Sequence, residues 1–115
     1  MVKARQSIRF EIKMKMSNEK FRVVERFNSL LESGIFINPK VDGKLMAKMI
    51  FINYASLDST LNNEIGFSSN TIIDCYRLNY AHQLQSLGIS FKYLHKYCGF
   101  GSRKALERAL DSIVN

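Results

Sequence analysis

The sequence predicts a mainly all-α protein with a short, β-like basic arm at its N-terminus. Three observations support this prediction. The chain of 115 residues suits one compact domain. Apolar residues recur at three- and four-residue steps from residue 17 onward, and connections containing Gly, Ser, Asp or Asn separate these periodic segments. Apolar residues make up 46% of the chain and charged residues 23%, a balance that excludes disordered and fibrous proteins.

The arm comprises residues 1–16. Its segment SIRFEIKMKM, residues 7–16, alternates apolar and polar side chains, as a half-buried strand does. No second strand of similar clarity follows, so the arm either pairs with a second copy of the chain or remains a basic extension. Its cations would add attraction to phosphate; they are Lys3, Arg5, Arg9, Lys13 and Lys15.

Helical periodicity begins at Ser17. The first helix ends at Gly34, and the segment GIFINP is predicted to be an extended linker because the residue before Pro39 avoids helical angles. Asp42 and Asn53 are predicted N-caps of the next two helices. The apolar stripes of these two helices contain Leu45, Met46, Met49 and Ile50, then Leu57, Leu61 and Ile65.

A longer helix opens at Ser68 or Ser69 and covers residues 69–86. Residues 89–113 then follow the pattern of a helix-turn-helix: a short helix capped by Ser90, a turn with the sequence CGFGS, and a final amphipathic helix from Ser102. Two glycines give the turn its freedom. The last helix has an inner face of Ala105, Leu106, Ala109, Leu110 and Ile113, and an outer face of Arg103, Lys104, Glu107, Arg108 and Asp111.

The charge balance favours a polyanionic partner. Lys and Arg number 17 against 10 Asp and Glu, for a net charge of +7, so nucleic acid is the first candidate. No Gly-rich phosphate loop, nucleophile motif or paired carboxylates appear, and we expect no enzyme. We also expect no metal or other cofactor, because the spacing of the ligand-type side chains fits no metal site; they are Cys75, Cys98, His82 and His95. No apolar run approaches the roughly 20 residues that span a bilayer, so we expect a cytoplasmic protein without a membrane partner.

The stretch RLNYAHQLQ…ISFKYLHKYCGFGSRKALERAL resembles the DNA-binding domain of AraC/XylS-type transcription regulators. Their pattern is roughly R-L-x-x-A-x-x-L … I-x-x-I-A-x-x-C-G-F-x-S-x-x-x-F-x-R-x-F. Matching or conservatively replaced positions are Arg77, Leu78, Ala81, Leu84, Ile89, Leu94, Cys98, Gly99, Phe100, Ser102, Leu106, Arg108 and Leu110. The segment MAKMIFINYASLDSTLNNEIGFSSNTIIDCYRL resembles the first motif of the same family in an eroded form. The resemblance runs from about Glu19 to Ile113.

The resemblance implies a bacterial, stand-alone double helix-turn-helix domain over residues 17–115. Its units would be residues 42–66 and 89–113, joined by the linker helix 69–86, with recognition helices at 54–64 and 102–113 in successive major grooves. The first unit departs from the family at Phe51, where Gly is usual, so we expect an altered crossing of its helices. Its outer face carries Tyr54, Ser56, Asp58 and Ser59 where Arg and other polar donors are usual in the family, and Asp58 should repel phosphate.

The function expected from these patterns is sequence-specific binding of double-stranded DNA by a transcription regulator, at the nucleoid and mainly through the second unit. Residues expected to contact DNA are Ser102, Arg103, Lys104, Glu107, Arg108, Lys92, Lys96, Asn53, Tyr54 and Ser56. The alternative is a protein-interaction module derived from such a regulator, which would modulate a full-length regulator without reading DNA. The expected protein partners are therefore a second copy, through the N-terminal strand, or another regulator as a heteromer.

Overall fold

The computed structural model describes residues 18–113, so the predicted arm, residues 1–16, lies outside the described residues. Within the described range the chain is mainly helical and has no strand, as the predicted fold class requires. None of the described helices is both long and apolar enough to cross a membrane. The elements are α1 (Asn18–Glu32), a 3₁₀ turn (Ile35–Ile37), α2 (Gly43–Met49), α3 (Tyr54–Glu64), α4 (Ser69–Ser86), α5 (Phe91–Tyr97) and α6 (Arg103–Ile113).

Three of the predicted N-caps form hydrogen bonds with the backbone. The Asp42 carboxylate accepts from the Leu45 amide at 2.9 Å, and the Asn53 side chain accepts from the Ala55 amide at 2.8 Å. The Ser68 hydroxyl accepts from the Thr71 amide at 3.3 Å. Ser90 occupies the N-cap position of α5, but its side chain makes no capping hydrogen bond. Local capping chemistry therefore sets the start of three helices.

The first hydrophobic core is formed by α1, α2, α3 and the N-terminal half of α4. Its most deeply buried side chains are Phe27, Leu31, Met46, Leu57, Leu61 and Ile73. The prediction that Leu45, Met49 and Ile65 are buried was wrong, since all three are exposed. Ile65 follows the last residue of α3 as its C-cap, where the chain leaves the helical path. The apolar periodicity in the sequence includes Ile65, which lies one residue beyond the end of α3.

The second hydrophobic core is formed by the C-terminal half of α4 with α5 and α6. It contains Ala81, Leu94, Cys98, Phe100, Leu106 and Ala109. The helix α4 contributes to both cores, with Ile73 in the first and Ala81 in the second. We name α2, α3 and their turn the first helix pair, and α5, α6 and their turn the second helix pair. Each pair thus packs on its own part of α4.

The linker between α1 and α2 is not extended throughout, contrary to prediction. Residues Ile35–Ile37 form a 3₁₀ turn after Gly34, and Phe36 is buried. The Phe36 ring packs against the rings of Tyr76 and Tyr80, with centroids 5.8 and 5.9 Å away. Only the residue before Pro39 keeps the extended backbone that proline demands. Aromatic packing on α4 therefore overrides the local preference of this segment.

Arg77 fixes this linker to α4. Its guanidinium donates to the carbonyl oxygens of Phe36, Asn38 and Val41 at 2.8, 3.1 and 2.8 Å. The Asp74 carboxylate lies 3.6 Å from its Nη1. Burial lowers the pKa of Arg77, and the neighbouring Asp74 carboxylate acts in the opposite direction. Arginine keeps its charge under such conditions, so its planar donors can satisfy three carbonyls at once.

Candidate nucleic-acid interface

The turn between α5 and α6 is pressed against the linker. Gly99 has a φ of 95°, in the left-handed region that favours glycine. A Cβ atom on Gly99 would collide with the Phe36 carbonyl oxygen and would lie 2.8 Å from Arg77 Nε. The Arg77 guanidinium carbon also sits 5.9 Å from the centre of the Phe100 ring. Arg77 therefore holds both the linker and the turn that sets the direction of α6.

Ser102 caps α6. Its hydroxyl oxygen accepts from the Ala105 amide at 3.1 Å. The helix then places Leu106 and Ala109 in the second core, with both side chains buried. The hydroxyl hydrogen of Ser102 stays available as a donor, since the cap uses only the oxygen. The predicted inner face of this helix is confirmed.

The outer face of α6 presents five charged side chains to solvent: Arg103, Lys104, Glu107, Arg108 and Asp111. The Arg103 Nε lies 3.3 Å from a Glu107 carboxylate oxygen, and the Arg103 guanidinium sits 5.8 Å from the centre of the Phe91 ring on α5. These contacts restrain Arg103. Within residues 18–113, Lys104 and Arg108 form no ion pair. They are consequently the two cations of α6 with the greatest freedom to reach an anionic partner.

The helix α5, which packs against α6, adds two exposed cations. The Lys92 and Lys96 ammonium groups lie 5.7 and 5.4 Å from the centre of the Tyr93 ring, within the range of cation–π attraction. Tyr93 thereby holds both ammonium groups on one side of the helix. We name the resulting surface the basic face; it comprises Lys92, Lys96, Arg103, Lys104 and Arg108.

The two parts of the described chain differ sharply in charge. Residues 18–66 carry six basic and six acidic side chains, whereas residues 67–113 carry six basic and three acidic ones. Arg77 and Asp74, which belong to the second part, are paired with each other, and Arg77 is buried. The exposed charge excess of the described chain is therefore concentrated on the basic face. Such an asymmetry generates a local positive potential even where the rest of the surface is neutral.

The first helix pair offers fewer free donors. The Asn53 side-chain oxygen is occupied by the Ala55 and Ser56 amides, at 2.8 and 3.3 Å. Tyr54 is half-buried against the first core, and its hydroxyl accepts from the Asn70 amide nitrogen at 3.2 Å. Among the three candidates of this pair, Ser56 is exposed without a side-chain hydrogen bond to a described residue. Asn53 and Tyr54 are thus engaged in hydrogen bonds within the fold.

Asp58 also has a structural contact. Its carboxylate accepts from the Ser69 amide at 2.9 Å and so caps the N-terminus of α4. The sequence placed this residue on an outward face, whereas its carboxylate is half-buried against the start of α4; the expected repulsion of phosphate remains a prediction. The contact joins residues 11 positions apart, which no local pattern reveals.

The ligand-type side chains are dispersed. Residues 18–113 contain no group of three or more His, Cys, Asp or Glu side chains placed to hold a metal ion. Burial raises the pKa of the Cys98 thiol and that of the Cys75 thiol, and the Asp74 carboxylate raises the pKa of Cys75 further. His82 is exposed and His95 is half-buried.

Comparison with protein-family models, with curated proteins and with solved structures finds no match to this chain. The resemblance to AraC/XylS-type regulators therefore remains a prediction.

Proposed function

We propose that this protein is a sequence-specific regulator of transcription that binds double-stranded DNA. The second helix pair would act as a helix-turn-helix, with α6 in the major groove. The observation that carries this proposal is the basic face on an amphipathic helix whose opposite side is anchored in the second core. A major groove of about 12 Å width admits one helix, and long basic side chains can reach base edges from there.

The side chains of α6 divide into two roles under this proposal. Arg108 can donate both of its terminal nitrogens to guanine O6 and N7, and Lys104 can reach a base edge or a phosphate. Glu107 holds Arg103 in place at 3.3 Å, which would orient that guanidinium and limit the conformations it must lose on binding. Contacts to base edges then provide specificity, whereas contacts to phosphate provide position.

The cations of α5 would bind phosphate. Lys92 and Lys96 flank Tyr93 on the same side of a short helix, next to α6. Each phosphate that they neutralise releases a condensed counterion, so affinity should fall steeply with salt. Asn53, Tyr54 and Ser56 would contribute less, because capping and packing occupy the first two. The first helix pair would therefore support the second more than it reads sequence.

The proposal is tested by titrating the full chain into labelled duplexes taken from the region upstream of its own gene and into scrambled duplexes, at two salt concentrations. Binding that prefers one sequence and survives the higher salt is the expected result. Weak binding to both duplexes that disappears with salt would contradict the proposal, since charge alone would then explain it. A protein-interaction module would be the better account in that case.

A double charge reversal makes this test specific to α6. Lys104→Glu with Arg108→Glu should reduce the specific affinity at least 100-fold, because two contacts become repulsive. The matched control is Lys44→Glu with Lys48→Glu, which reverses two exposed cations at the same four-residue spacing on α2. Both variants change the net charge equally, so equal losses of affinity would mean that α6 has no special role.

A further inference from the structure

Phe51 combines two unfavourable properties. It is 93% exposed, and it is the one non-glycine residue with positive φ among the described residues, at 59°. The turn around it is well formed, since the Phe51 amide donates to the Lys48 carbonyl at 3.2 Å and the Ile52 amide donates to the Ala47 carbonyl at 3.0 Å. This is the hydrogen-bond pattern with which helices end on a left-handed residue, most often Gly. The large apolar side chain therefore has no role in the fold that would explain it.

A groove lies beside this side chain, between α1 and the end of α2. It has a volume of about 680 Å³, and its apolar wall consists of Leu30, Met49, Ile50 and Phe51 itself. Met49 is also exposed, whereas Met46 and Ala47 of the same helix are buried. A protruding aromatic ring and an open apolar groove thus adjoin each other on one surface. We name this surface, with Arg22 and Arg26 at its rim, the Phe51 face.

Charge narrows the choice of partner for this surface. The whole chain carries a net charge of +7, so two copies repel each other at most orientations. The Phe51 face is an exception, because it lies within residues 18–66, where basic and acidic side chains are equal in number. Along α1, the basic residues Arg22 and Arg26 alternate with the acidic residues Glu19 and Glu25 around the groove. A surface of mixed signs can meet a copy of itself with opposite charges facing each other.

We propose that the Phe51 face binds a second copy of this chain in a twofold symmetric dimer. Each Phe51 side chain enters the groove of the other copy, where it contacts Leu30 and Met49. A twofold interface uses the same patch on both molecules, so it requires a protrusion and a recess side by side, as found here. This inference goes beyond the proposed function and does not depend on DNA binding. It also differs from pairing through the N-terminal arm.

Sedimentation velocity of the full chain without DNA tests the proposal. The wild-type protein should shift from monomer to dimer as its concentration rises from low to high micromolar, and Phe51→Gly should weaken dimerisation at least 100-fold, because two buried rings are lost at once. Glycine suits the turn, so this variant keeps its fold. The control is Leu87→Ser, which removes an 82% exposed apolar side chain from the far end of α4 and should dimerise like the wild type.

A second variant addresses the recess. Met49→Lys places a charge in the groove and should also be monomeric, since the charge would be buried in the dimer without a partner. In a mixture of the two variants, the Phe51 ring of the Met49→Lys copy can still enter a groove that keeps Leu30, Met49 and Ile50. The mixture should therefore form heterodimers with an affinity between those of the wild type and either variant alone. A monomeric wild type, an unchanged dimer of Phe51→Gly, or no association in the mixture would each overturn the proposal. Because no DNA is present, these results are independent of the test of DNA binding.

Discussion

The two helix pairs share one turn design but differ in what surrounds it. In the first pair a buried Ile50 precedes Phe51, and in the second a buried Cys98 precedes Gly99. Both Phe51 and Gly99 have left-handed backbones, with φ of 59° and 95°. Phe51 points into solvent, whereas Gly99 lies against the Phe36 carbonyl, where no Cβ fits. The comparison shows that packing decides whether such a turn needs glycine, because the left-handed angle alone only makes other residues costly.

The pairs also differ in what their exposed side chains do. In the first pair, Asn53, Tyr54 and Asp58 are engaged in capping and packing. In the second pair, only Ser102 has a capping role, and the cations of the basic face remain at the surface. The first pair therefore has the chemistry of a scaffold, and the second has the chemistry of a binding surface.

The largest expected effect comes from Gly99→Ala. The added Cβ meets the Phe36 carbonyl oxygen and Arg77 Nε, and the left-handed backbone is costly for alanine, so the free energy of unfolding should fall by about 4 kcal/mol. Urea unfolding followed by circular dichroism measures this change. The control is Gly101→Ala, because nothing lies within 4 Å of its Cβ position and its φ is not positive. Similar losses in the two variants would mean that the turn is not held against the linker.

Arg77→Met should cost about 3 kcal/mol of unfolding free energy, because it leaves three carbonyl oxygens of the linker without their donor. Thermal unfolding of this variant should be compared with that of Arg22→Met, which removes an exposed cation. Arg77 contacts the linker and the turn of the second pair, so the loss should also weaken DNA binding by the basic face. A variant as stable as the wild type would mean that Arg77 does not stabilise the packing of the linker and the turn on α4.

Asp58→Ala should lower the unfolding free energy by about 1 kcal/mol, the usual effect of losing a helix cap. The neighbouring Ser59→Ala, at an exposed position without a side-chain hydrogen bond to a described residue, should change it by less than about 0.5 kcal/mol. Chemical denaturation of both proteins gives the comparison. Equal stabilities would mean that the Asp58 carboxylate does not stabilise the start of α4.

An effect of similar size but opposite sign is expected for Phe51→Gly. At concentrations where the chain is monomeric, this substitution should raise the unfolding free energy by about 1 kcal/mol, because glycine adopts the left-handed angle freely. The two pairs would then respond in opposite ways at the same turn position. Adding a side chain at Gly99 destabilises the second pair, and removing the side chain of Phe51 stabilises the first. A loss of stability would show that the Phe51 ring packs within its own chain.

The helices could be predicted from the sequence because apolar periodicity and capping residues are local features. The longest one, Ser69–Ser86, covers the predicted residues, and the caps at Asp42 and Asn53 lie within three residues of the amides that they bind. The roles of Arg77 and Asp58 depend on partners that are distant along the chain, so no periodic pattern contains them. Phe36 shows the same limit, since its 3₁₀ turn follows from packing on Tyr76 and Tyr80. The outward cations of α6 were predictable because amphipathic spacing assigns faces.

The shared helix α4 determines how far this molecule can be divided. Ile73 and Ala81 anchor separate cores on one continuous rod, about 12 Å apart along its axis at the usual helical rise. A protein engineer who cut the chain inside α4 would leave both fragments with an open apolar side. An insertion at the exposed Leu87–Gly88 corner would interrupt neither core. The two helix pairs therefore differ in surface chemistry, but each needs the shared helix α4 to complete its core.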